Sequence, residues 1–111
     1  MEAEFLAGMG RRIQVRRKAL RYSQEELAEK ADISKQTVSR AENGKRELGA
    51  GNLMKIALAL GISTDYLLTG EYTNDDVKIL NQKITNLTTR QFEFLEDVVR
   101  NFTEMCKEGF I

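Results

Sequence analysis

The chain contains no proline, no histidine and no tryptophan, and a single cysteine, Cys106, in 111 residues. Without histidine there is no imidazole for acid–base work, no Ser-His-Asp or Cys-His nucleophile, and no Zn site needing several nitrogen and sulfur ligands. A lone cysteine excludes an intramolecular disulfide framework and fits a reducing cytosol. No stretch approaches the run of about 18–20 apolar residues that crosses a membrane. The opening Met1-Glu2-Ala3-Glu4 is acidic and leads into no long apolar run, the pattern of a chain without a signal peptide. These absences set the expectation: a soluble, cytoplasmic, helix-rich protein, not an enzyme, with no cofactor or metal, made of one domain or of a small domain with an appendage.

Charge is balanced overall, with seventeen basic and seventeen acidic side chains, but it is not evenly spread. The first seventy residues carry twelve basic against nine acidic groups, net +3, and the remaining forty-one carry five against eight, net −3. Within 8–48 the excess is +5, and six bases crowd into Arg11–Arg21. A basic front and an acidic tail suggest a polyanion-binding module joined to something else. The alternative is that Arg11, Arg12, Arg16, Arg17, Lys18 and Arg21 are ordinary solvated helix residues.

With proline absent, Gly, Ser, Thr, Asn and Asp punctuate the chain. Val15, Ala19, Ile13 and Leu20 predict a first helix over about 8–21. Ser23 and Glu26 are spaced as a capping box for a second short helix, whose apolar side is Leu27, Ala28 and Ala31. Ser34 can cap a third, which stops at Gly44. Leu53, Ile56, Ala57 and Leu60 mark a fourth, and Ser63–Leu68 a fifth ended by Gly70. Beyond a polar link, Asn74 can cap a helix of about 75–87 carrying Val77, Leu80, Ile84 and Leu87. Thr88 with Gln91 then opens another over about 89–107. No alternating strand pattern of useful length occurs. The fold class is all-α: five helices in residues 1–70 and two in 71–111.

Residues 23–44 read SQEELAEKADISKQTVSRAENG, two short helices joined by a tight turn. Leu27, Ile33 and Val38 hold the pair inward, leaving Lys35, Gln36, Thr37, Ser39 and Arg40 on the outer face of the second helix. A helix fits the major groove of DNA, where Arg and Lys match guanine, Gln matches adenine and Thr can meet a thymine methyl.

At this point the sequence resembles the Cro/repressor-type (xenobiotic-response-element-like) helix-turn-helix regulators of bacteria and phages. The resemblance rests on Arg17, Ser23-Gln24, Leu27-Ala28, Ile33-Ser34, Thr37-Val38-Ser39, Glu42-Asn43-Gly44-Lys45, Leu53, Ile56-Ala57, Leu60-Gly61-Ile62 and Asp65-Tyr66-Leu67-Leu68. It covers about residues 8–70 and implies a five-helix, lambda-repressor-like DNA-binding domain. It further implies Gln24 as a phosphate contact at a helix N-terminus and Lys35, Gln36, Thr37 and Arg40 as base or flanking-phosphate readers. Ser39 is a further candidate contact, and Asn43 and Lys45 fall where the family touches the DNA backbone. Arg17 and Glu42 match a structural salt bridge between the first and third helices, so Arg17 is not counted among the DNA contacts. Two positions depart from the family pattern: Asp32 stands where Gly is usual in the turn, and Leu48-Gly49 replaces the Pro-Ser often found before the fourth helix.

The tail offers Val77, Leu80, Ile84, Phe92, Leu95, Val99 and Phe102, more apolar surface than two isolated helices can hide from each other. Reading a palindrome takes two recognition helices about 34–36 Å apart, so homodimerisation through these residues serves both needs. Folding back onto the N-terminal module, or binding a protein antagonist, remain the other uses of that stripe. Cys106 is expected to be a small core residue on it. The expected function is a sequence-specific, dimeric regulator of transcription, a repressor that occupies an operator in double-stranded DNA. The alternative is an antitoxin-type interaction protein whose tail binds a partner and whose DNA binding is autoregulatory.

Overall fold

The computed structural model describes residues 2–110, and among these there are seven α-helices and no strand. They are α1 (Glu2–Ala19), α2 (Gln24–Ala31), α3 (Lys35–Glu42), α4 (Ala50–Leu60), α5 (Thr64–Thr69), α6 (Asn74–Lys83) and α7 (Thr89–Glu108). The chain divides into two compact units, one reaching Leu80 and the other beginning at Asn81, so the division falls inside α6.

Local chemistry sets most of the helix ends. Ser23 Oγ accepts the Glu26 N–H at 3.0 Å while the Ser23 N–H donates to Glu26 Oε1 at 3.0 Å, closing the capping box expected at α2. Ser34 Oγ accepts the Thr37 N–H and Ser63 Oγ the Tyr66 N–H, each at 3.0 Å, starting α3 and α5. Thr88 and Gln91 form the second box, at the start of α7. Gly49 precedes α4 without a side-chain cap, as the missing Pro-Ser implies. Asp32 closes α2 at φ 56°, the left-handed region that Asp tolerates better than most side chains.

Three boundaries differ from the sequence-based expectation. α1 begins at Glu2 instead of near residue 8, because Leu6 and Met9 continue the buried stripe of Ile13 and two glutamates favour its first turn. α6 ends at Lys83, not near 87, with Asn86 at φ 61° beyond it. The capping role expected of Asn74 belongs to Thr73 and Asp76. The Thr73 C=O accepts the Val77 N–H, and the Thr73 N–H donates to Asp76 Oδ2 at 2.9 Å.

The first unit's core is built by α1–α5. Ile13, Leu27, Val38, Ile56, Leu60 and Leu67 are fully buried, with Met9, Ala28, Ala31, Ala41, Ala57 and Ile62 around them. α3 packs on α1 and α2, and α2 also packs on α4. Gly10 is what lets α1 come this close: a Cβ there would lie under 3 Å from the backbone carbonyl groups of Ala41 and Glu42. Gly44, at φ 66°, passes the backbone of Ala7 in a similar way. Smallness on α1 thus brings the last turn of α3 onto it.

Asp76 links the start of α6 to the start of α5. Its carboxylate accepts the Ser63 N–H at 2.8 Å and the Ser63 hydroxyl at 2.7 Å, besides the Thr73 N–H. Burial alone would raise this carboxyl's pKa, but the bonds from Thr73 and Ser63 outweigh it and hold the group below its ordinary value. A depressed folded pKa means that Asp76 contributes its full stability above the unfolded value of 3.8 and loses it as pH falls below that. Denaturant melts of wild type and Asp76→Asn across pH should therefore show a gap at neutral pH that closes in acid. A gap independent of pH would contradict this role.

Candidate nucleic-acid interface

α3 buries Val38, Ala41 and Glu42 and turns its other side outward. Lys35, Gln36 and Arg40 are exposed on it, Thr37 and Ser39 are half-buried, and Asn43 and Lys45 are exposed just past its end. Residues 36, 40 and 43 recur at helical spacing, so Gln36, Arg40 and Asn43 share one face. Thr37 Oγ1 lies 2.7 Å from Ser34 Oγ, which ties the Thr37 hydroxyl to the cap. Beside this face lies an open cleft of about 290 Å³ lined by Thr37, Arg40, Arg46, Glu47, Leu48 and Asn52, among others. Arg46 was not among the sequence-predicted contacts, although its charge next to Lys45 was the available signal. Glu47 on the same rim has its pKa raised above the usual carboxylate value, chiefly by the neighbouring carboxyl of Glu2.

The pair expected between the first and third helices is present. Arg17 Nε donates to Glu42 Oε2 at 2.6 Å and Arg17 Nη2 to Glu42 Oε1 at 3.0 Å, a two-pronged fork with side chains 10% and 1% exposed. Arg17 Nη1 donates a third bond, to the Tyr22 carbonyl at 2.8 Å. The hydrogen bond to Glu42 raises the Arg17 pKa, against the opposing effect of burial. Gln24 joins the same network, its Nε2 donating to Glu42 Oε1 at 3.2 Å. One of the two amide N–H donors of Gln24, the residue expected to meet phosphate, is thus taken by the fork.

The basic run of α1 divides differently from either sequence-based alternative. Arg12 Nε and Nη2 donate to the Leu67 and Leu68 carbonyls at 2.8 and 3.1 Å, and Arg16 Nε donates to the Leu60 carbonyl at 3.0 Å. These carbonyls lie in the last turns of α5 and α4, where orphan acceptors and the helix dipole favour a cation. Arg12, Arg16 and Arg17 are therefore fasteners between helices, and Arg11, Lys18 and Arg21 are the exposed remainder.

In the second unit, Phe92, Val99 and Phe102 on α7 are each more than half exposed, and α7 buries no residue. Ile84 is exposed and Leu95 half-buried; Val77 and Leu80, at the end of the first unit, are exposed. Cys106 is exposed, contrary to the expected core position: among the described residues nothing covers the face it lies on. Among the described residues no helix is long and apolar enough to cross a membrane.

Two short helices meeting at a left-handed turn, the second presenting a polar, cationic face from a five-helix core, define a helix-turn-helix DNA-binding module. The helix-turn-helix family model matches residues 13–67. The repressor protein C2 of Salmonella phage P22 is 36% identical over 69 residues; the match takes in 62% of this chain but only 32% of the repressor's length. A prophage-derived HTH-type transcriptional regulator of Bacillus subtilis, YonR, is 36% identical over 77 residues, 68% of this chain and 71% of its own. Among solved structures, the P22 c2 repressor bound to a synthetic operator superposes with TM-score 0.55 at 38% identity, covering 57% of this chain and 96% of that one. The SinR/SinI protein complex gives TM-score 0.55 at 25% identity over 86% of this chain and 98% of that one. The chain belongs to the Cro/repressor-type helix-turn-helix family of transcriptional regulators.

The commitment of Arg16 to a carbonyl separates its role from that of the α3 bases. Arg16→Ala should lower stability by about 1.5–3 kcal/mol, the range for a hydrogen bond involving a charged group. It should leave the salt dependence of duplex binding unchanged, because that dependence counts phosphates neutralised. Thermal melts and salt titrations check both halves; a shallower salt slope would place Arg16 on the DNA.

Proposed function

We propose that this chain acts as a dimeric, cytoplasmic repressor that reads a palindromic operator with α3, one recognition helix from each protomer. The observation that carries this is the outer face of α3, where Lys35, Gln36 and Arg40 stand exposed on a helix whose opposite side is locked into the core. Gln36 and Arg40 have the donor and acceptor geometry to pair with adenine and guanine edges. Lys35 and Thr37 extend the contact at the N-terminal end. Asn43, Lys45 and Arg46, with Ser39 and the second amide N–H of Gln24, supply backbone contacts that set the register without selecting sequence. A relative solved on a synthetic operator supports this reading.

The division of labour follows the chain. Residues up to about 70 read DNA, and 71–111 assemble the dimer. On α7, Phe92, Leu95, Val99 and Phe102 recur at alternating spacings of three and four, with Val98 and Met105 widening the stripe. A second copy of the same stripe is the simplest cover, since a twofold pair places the two recognition helices for two half-sites. The reading in which the tail takes an unlike protein keeps one specific support: a similar structure is a complex of two differently named proteins, SinR and SinI.

Selection of bound sites from random duplexes should return a palindrome. On that operator Gln36→Ala and Arg40→Ala should each cost about 1–3 kcal/mol while binding to random duplex is nearly unchanged. Full-length protein carrying Leu95→Asp and Phe102→Asp should sediment as a monomer and bind the palindrome far more weakly, because charge then faces the apolar seam. A double variant that stays dimeric with undiminished affinity would overturn the assembly role and move the partner-binding reading ahead.

A further inference from the structure

On the surface shared by α2 and α3, one carboxylate forms an ion pair between the two helices. Glu26 is taken by the capping box and Asp32 forms the turn, but Glu25 reaches across to Lys35, with Oε1 3.5 Å from the ammonium Nζ. Lys35 is the first residue of α3, whose first turn contains no acid of its own. Both side chains are open to water, 59% exposed for Lys35 and 75% for Glu25, so the pair contributes little to holding the fold. The single base of α2, Lys30, is engaged elsewhere, 5.0 Å over the ring of Tyr22.

The consequence of the pair lies in what α3 offers to DNA. Attraction to phosphate depends on uncompensated positive charge and is blind to sequence. Base-edge recognition depends on short, directed hydrogen bonds, such as an ammonium donating to guanine O6 and N7, and a carboxylate can itself accept from a cytosine amino group. A negative charge placed beside the leading ammonium of α3 therefore weakens indiscriminate phosphate binding more than it weakens a directed contact in the groove. It also restrains an otherwise flexible lysine near the position from which that contact is made.

We infer that Glu25 is a specificity-determining positioning residue. Acting through Lys35, it suppresses binding to non-operator DNA and so widens the gap between operator and random sequence. This rests on α3 being the DNA-reading helix.

The test titrates labelled operator and random duplex over a range of salt with wild type, Glu25→Gln, Lys35→Ala and the Glu25→Gln/Lys35→Ala double variant. Glu29→Gln serves as control: it makes the same charge change on α2, at a residue with no ion pair among the described residues. Glu25→Gln should tighten random-duplex binding about five-fold and steepen the salt slope by about 1, as one more phosphate is neutralised. Operator affinity should change less than about two-fold, so that the operator-to-random ratio falls. In the Lys35→Ala background the effect of Glu25→Gln should disappear. Equal shifts for Glu25→Gln and Glu29→Gln, or a Glu25 effect that survives loss of Lys35, would overturn the assignment. If wild type prefers its operator and Glu25→Gln changes nothing, only the role of Glu25 falls. If wild type prefers no sequence at all, the reading role of α3 falls and takes this one with it.

Discussion

The Arg17–Glu42 fork is the interaction on which the presentation of α3 depends. Glu42 is the last residue of α3, and its carboxylate is almost wholly enclosed. An enclosed carboxylate is tolerable only if its oxygens are matched, and here three donors converge on it, two from Arg17 and one from Gln24. The three residues come from α1, α2 and α3, so one cluster fixes the angle between the two helices of the motif and the helix beneath them. Gly10 makes the cluster possible, since any side chain there would push α1 off the carbonyls of Ala41 and Glu42.

The same helix fastens the rest of the module with the same kind of contact. Arg16 holds the end of α4 and Arg12 the end of α5, each by donating to carbonyls that the helix itself leaves unpaired. Three of the six bases crowded into Arg11–Arg21 are thereby directed inward or along the surface to backbone. The cationic face offered outward is instead made by Lys35, Arg40, Lys45 and Arg46, on and just after α3. Charge does two jobs in this small domain, and position along the chain does not separate them.

That is also where the sequence stops being legible. Caps are local, three residues from donor to acceptor, and Ser23–Glu26, Ser34 and Thr88–Gln91 can be read from spacing alone, whereas the turn at Asp32 is legible through family resemblance. The buried stripes of α2–α5 follow from helical periodicity. The targets of Arg12 and Arg16 are backbone carbonyls 44–56 residues away, and no side-chain pattern marks a carbonyl. Arg17–Glu42 spans 25 residues and was accessible through family resemblance, not through spacing. The early start of α1 was missed because Leu6 and Met9 are sparse beside the glycines and alanines around them. Cys106 was misplaced because an apolar stripe in sequence does not say whether anything covers it; on α7 nothing does in the chain described. Of the interface, the exposed face of α3 was legible, while the diversion of the Gln24 amide to Glu42 and the addition of Arg46 required coordinates.

The central claim is that the fork, more than any packing contact, seats α3 for its work, and a double-mutant cycle across it tests this most directly. Glu42→Leu alone strands the Arg17 guanidinium and should cost about 3 kcal/mol in denaturant unfolding, whereas Arg17→Met with Glu42→Leu should recover most of that loss. Recovery in the double variant, with the single variant strongly destabilised, is the predicted result. Two single losses that simply add, or a Glu42→Leu protein as stable as wild type, would contradict the account.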